Sequence, residues 1–98
     1  MADLRRAVAE AKAARPEILK VLLFGSLVRG NWTADSDADL IVVVNREFPD
    51  FLSSRTPYQI YAKSIPCDSL VYSANEFERL ANDPSSIVAQ NLATSIEL

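Results

Sequence analysis

Apolar and polar positions alternate with two different periods along this chain. From Asp3 to Arg15 the positions Leu4, Val8, Ala11 and Arg15 recur at helical spacing in an alanine-dense stretch, and Pro16 marks a stop, which predicts a first helix. Ile18 to Phe24 is apolar nearly throughout, with Lys20 the exception, and reads as a strand broken by Gly25-Ser26. Leu27 to Gly30 has room for one helical turn, and Asn31 to Ser36 is a polar loop of turn-forming residues. Asp37 to Val44 (DADLIVVV) is the clearest strand: its apolar and β-branched residues fall on both faces, so it should be central and covered on each side. Asn45 to Asp50 reads as loop. Thr56-Pro57 offers an N-cap followed by proline at the first helical position, which predicts a helix over Pro57 to Lys63. Cys67 to Tyr72 reads as a third strand. Helices are expected over Ala74 to Asn82 and Ser85 to Ile96, separated by Asp83-Pro84. Strands interleaved with short helices predict an α/β or α+β architecture, a small mixed β-sheet flanked by helices.

Composition narrows this to a single domain spanning residues 1–98. Apolar residues are 49% of the 98, but thirteen of them are alanine, which leaves sizeable side chains for one two-layer core and no second lobe. The net charge of −3 argues against direct nucleic-acid binding through phosphate neutralisation, which wants a basic face. One cysteine excludes an internal disulfide framework, and the absence of histidine excludes Cys/His zinc sites and histidine-based catalysis. The amino-terminal stretch has no apolar core of a secretory signal, and no apolar run approaches a membrane span. A soluble, cytoplasmic protein with no membrane partner is expected, and its chemistry must run on carboxylates, hydroxyls, basic side chains, backbone amides or bound metal.

Those groups concentrate between residues 25 and 39. Asp37 and Asp39, two apart at a strand entrance, project on one face. Two carboxylates ~4 Å apart repel by roughly 4 kcal/mol at an effective dielectric of 20. A divalent cation is the natural compensation, and oxygen-only ligands suit Mg²⁺ or Mn²⁺. Asp68, opening the third strand, would join the pair if that strand neighbours the second, ~4.8 Å away. Taken alone, the Asp37–Asp39 pair reads more simply as a cap on a strand entrance, since Asp and Ser bond local backbone in turns. Gly25 and Gly30 have P-loop spacing, but Asn31 and Trp32 stand where Lys and Ser or Thr are required. Asp35, Asp37 and Asp39 open like an EF-hand loop, yet Leu40 holds its glycine position and Arg46 its bidentate glutamate position.

The stretch LFGSLVRGNWTADSDADLIVVV does fit another pattern: G-S-x-x-R-G, a short polar loop, then S-D-x-D-L and a hydrophobic strand. In this it resembles the minimal nucleotidyltransferases of the DNA polymerase beta-like superfamily. IPCDSLVYSANEFERL resembles the family's third strand and the acidic helix after it, so the likeness covers nearly the whole chain. The resemblance implies a nucleotidyltransferase fold, with Asp37 and Asp39 as the metal-binding pair and Asp68 as the third catalytic carboxylate. It implies that Gly25 and Ser26 form the turn approaching the triphosphate, with Arg29 and Gly30 completing the motif. The implied cofactors are two Mg²⁺ (or Mn²⁺), and the implied substrate is a nucleoside triphosphate, ATP foremost. Implied partners are an acceptor protein such as a HEPN-domain toxin, to which the chain would act as antitoxin with or without nucleotidyl transfer, or a second copy in a homodimer. Larger relatives that modify small molecules carry an extra acceptor-binding domain, which these residues do not supply.

The carboxy-terminal Ser95-Ile-Glu-Leu98 departs from the family, where glycine and an apolar pair are usual. Ile87, Val88, Leu92 and Ile96 keep helical spacing, a stripe that is either ordinary core or half of an interface. Trp32 reads as a lid over hydrophobic surface rather than a base-stacking platform, and Cys67 as a small buried apolar residue. Arg46 and Lys63 could reach a triphosphate, although solvated charge is the simpler reading of each.

Overall fold

The computed structural model describes residues 2–24, 38–48, 55–62 and 66–98. Helix α1 spans Ala2–Ala14, with Leu4 and Val8 fully buried one turn apart. Strand β1, Ile18–Phe24, follows directly after Pro16. β2 is Ala38–Val44, β3 is Cys67–Ser73 and β4 is Ile96–Glu97. They form one mixed sheet in the order β3-β2-β1-β4. β1 runs antiparallel to both β2 and β4, while β2 and β3 are parallel. Helices α2 (Ala74–Ala81) and α3 (Ile87–Leu92) follow β3.

β2 is central, as its unbroken apolar run requires. Ala38, Leu40, Val42 and Val44 pack with α1, Ile18, Val21 and Leu23 on one face of the sheet. Ile41 and Val43 pack with Leu22, Phe24, Phe77 and Val88 on the other, beneath α2 and α3. The exceptional Lys20 has a place in this scheme. A register shift between Ile18 and Lys20 leaves Leu19 exposed and turns Lys20 to the second face, where its ammonium lies 4.6 Å from the centre of the Phe77 ring.

Two expectations fail. The helix expected over Pro57 to Lys63 is a single 3₁₀ turn, Thr56–Tyr58, followed by non-helical chain through Ala62 (Lys63 lies outside the described residues). Burial there alternates, with Tyr58 and Ile60 inside and Gln59 and Tyr61 outside. That period of two is incompatible with a helical face, and the Ile60 N–H donates to the Ser69 hydroxyl of β3 rather than to a preceding turn. The last helix also stops early. It begins after the N-cap Ser86 and ends at Leu92, and the chain then turns so that Ile96 and Glu97 pair with Leu23 and Leu22. The Leu98 N–H continues the contact to the Val21 carbonyl at 2.9 Å. The edge of β1 outcompetes one more helical turn because its backbone groups need partners. The apolar stripe is accordingly divided: Val88 is core, while Ile87, Leu92 and Ile96 are exposed.

Candidate active site

Three strand ends meet on one rim of the sheet. β1 arrives there with Phe24, and β2 and β3 depart from it with Asp39 and Asp68. Phe24 pairs with Asp39, and Asp39 pairs with Asp68, so the three stand in one row across the sheet. Paired residues point to the same face, here the face covered by α2 and α3, on which Phe24, Ile41 and Val43 lie. Asp39 is half-buried and Asp68 exposed. The parallel register puts their Cα atoms on neighbouring strands, ~4.8 Å apart in the hydrogen-bonding direction. The β2–β3 entrance is closed below by the Ala38 N–H, which donates to the Pro66 carbonyl at 2.8 Å.

Two oxygen-donor side chains on one face of adjacent strands suit a hard cation such as Mg²⁺. Among the described residues no three acidic or Cys/His side chains come together as a metal-binding group. Asp37, Gly25, Ser26, Arg29, Gly30 and Trp32, which the sequence singles out, lie outside the described residues. Cys67 is half-buried at the edge of the α1-side core.

Arg46 is not at this rim. It follows the other end of β2, where its guanidinium donates to the Tyr58 hydroxyl at 3.3 Å and lies near the Phe48 and Tyr58 rings. The Tyr58 hydroxyl in turn donates to Glu17 at 2.9 Å. A hydrogen bond from its own backbone, then Tyr58, holds the Glu17 carboxyl below its usual range. This is a polar latch joining the β1 and β2 ends opposite the carboxylates.

A second network braces β3, and sequence reasoning missed it. Ser73 caps α2 in a capping box: its hydroxyl accepts from the Glu76 N–H, and Glu76 accepts from the Ser73 N–H. Arg55 meets both Glu76 oxygens, at 2.8 and 3.1 Å, donates to the Val71 carbonyl at 2.7 Å, and lies 4.2 Å from the centre of the Phe48 ring. Burial pushes the Glu76 carboxyl up, but the hydrogen bond and charge of Arg55 and the Ser73 amide outweigh it and hold it below the ordinary range. The Ser-x-x-Glu spacing was a readable signal for the cap; nothing local in the sequence pairs Arg55 with Glu76.

With this geometry in view, the chain's relatives are informative. The nucleotidyltransferase domain family matches residues 4–87, and the chain belongs to that family. This agrees with the resemblance to the minimal nucleotidyltransferases of the polymerase beta-like superfamily. A crystal structure of a candidate nucleotidyltransferase from Sulfolobus solfataricus shares the fold, with a TM-score of 0.54 at 22% identity, over 76% of this chain and 68% of that one. Among curated proteins none matches. No helix among the described residues is long and apolar enough to cross a membrane.

Proposed function

We propose that this nucleotidyltransferase domain moves a nucleoside monophosphate, AMP from ATP, onto an acceptor hydroxyl carried by a partner protein, with Mg²⁺ held by Asp37, Asp39 and Asp68. The observation that carries this reading is the pairing of Asp39 with Asp68 on one face of β2 and β3. Two like charges so close favour a bound divalent cation, and bound Mg²⁺ would neutralise charge on the triphosphate and the leaving pyrophosphate. In the reaction the acceptor oxygen bonds to the α-phosphorus, the bond between that phosphorus and the bridging oxygen to the β-phosphate breaks, and pyrophosphate leaves. Asp68, the more exposed carboxylate, takes the hydroxyl proton. Gly25 and Ser26 follow Phe24 directly in the chain, and in this reading they give backbone and hydroxyl contacts to the phosphates, with Arg29 and Gly30 completing that loop.

Incubation with ATP labelled at the α-phosphate and candidate acceptors tests the proposal. Label transferred to a protein hydroxyl, dependent on Mg²⁺ and on Asp39, is the expected result. Labelling of a small molecule alone, with every protein acceptor unmodified, would overturn the choice of acceptor. A partner of the HEPN class is the first acceptor to try. Binding to it without label transfer would instead favour an antitoxin that acts by contact.

A further inference from the structure

Among the described residues β3 is an edge strand, flanked by β2 on one side, and it carries one of the two facing carboxylates. Asp39 and Asp68 pair across these two strands, so the spacing of the two carboxylates depends on how β3 is held against β2. A slip of one residue would turn Asp68 to the opposite face.

The chain holds β3 on its other side with its own residues 55–60. Arg55, Gln59, Ser69 and Val71 line one shallow hollow there, so this segment runs beside the strand. The Ile60 N–H donates to the Ser69 hydroxyl at 3.2 Å, and Arg55 donates to the Val71 carbonyl. The buried polar residues among those described are Ser69 and Ser73, both on β3, and each hydroxyl accepts from a backbone amide. Ser69 is adjacent to Asp68 and points to the other face. Residues 57 and 58 are themselves tied to Arg15, Glu17 and Arg46 at the β1 and β2 ends, so the Ile60–Ser69 bond favours the register that sets Asp68 beside Asp39. Arg55 secures the far end of the strand through Glu76, which is locked to Ser73.

We propose that Ser69 and Arg55 are positioning residues for Asp68: they clasp the outer side of β3 and hold its carboxylate in register beside Asp39, ready for a divalent cation. This rests on the metal-dependent reading above. Neither residue touches substrate in this account.

The test is an isothermal titration of Mg²⁺ in the presence of a non-hydrolysable ATP analogue, on the full chain. It is run at a temperature where circular dichroism shows every variant folded, alongside the Mg²⁺ dependence of transfer. Ser69→Ala and Arg55→Gln should each raise the half-saturating Mg²⁺ concentration about tenfold, the scale typical of groups that orient a metal ligand. At saturating Mg²⁺ the KM for ATP should stay close to wild type. Ser69→Thr, which keeps the hydroxyl, should restore the wild-type titration. Variants that melt earlier yet titrate with the wild-type Mg²⁺ curve would overturn the clasp and leave the metal site standing. A wild-type chain that binds no Mg²⁺ with the analogue would overturn the metal-dependent reading, and the clasp with it.

Discussion

Asp39 and Asp68 carry like charge at paired positions of adjacent strands, and like charges repel. Asp39→Asn keeps the shape and removes one charge. Transfer should fall by about 10²-fold or more, while the apo protein melts at the same temperature or higher. Melting curves with and without Mg²⁺ and ATP check both halves, since the ligand-induced shift should vanish in the variant. Glu76 behaves in the opposite sense, because Arg55 and the Ser73 amide favour its charged form. Its folded-state carboxyl lies below the ordinary value, so its contribution to stability is fully present above about pH 4.3. That contribution is lost as pH falls through the lowered folded value. Glu76→Gln should cost about 1.5–3 kcal/mol at neutral pH, the range for hydrogen bonds to charged groups, and the gap to wild type should close in acid. Urea denaturation at several pH values measures it.

At the scale of elements, β4 is the shortest strand, two residues that tie the tail back to β1. Ile96 and Glu97 pair with Leu23 and Leu22, the Leu98 N–H reaches Val21, and Lys12 of α1 donates to the Leu98 carbonyl at 2.9 Å. Deleting Ser95 to Leu98 removes these bonds and uncovers the edge of β1. At about 1 kcal/mol for each net hydrogen bond the loss should be about 2–3 kcal/mol, a fall in Tm of roughly 10–20 °C for a domain this small. The uncovered edge should also promote self-association, visible by light scattering during the melt. A helix continuing to Ile96 would predict neither effect, because its last turn would touch no strand.

For the molecule as a whole, one sheet is covered on one face by α1 with residues 55–62 and on the other by α2 and α3, and the facing carboxylates lie at its rim. Mg²⁺ and ATP at one hundred times their dissociation constant should stabilise the folded chain by about 2.7 kcal/mol. Either component alone should do less, since the cation needs the phosphate oxygens as much as the carboxylates. Thermal melts across a matrix of the two concentrations measure this coupling.

The strands and α1 were legible because their burial is written in local periodicity. The apolar run Leu40 to Val44 could only be central, and Leu4 and Val8 could only be one helical face. Asp37 and Asp39 stand out as candidates because alternating Asp residues at a strand entrance are a local pattern, and the likeness of LFGSLVRGNWTADSDADL to a known family supplies their context. What the order of residues leaves open is which strand edge a segment meets. The stretch from Tyr58 to Ala62 has a helix-like start, yet it lies along β3 because Ile60 finds the Ser69 hydroxyl there. The tail has helical spacing, yet it becomes β4 because β1 offers unpaired backbone. The pairing of Asp39 with Asp68 likewise depends on the parallel register of strands far apart in sequence. Local propensity is a matter of tenths of a kcal/mol per residue, so a buried backbone group without a partner decides the outcome, and only the assembled sheet determines where those groups lie.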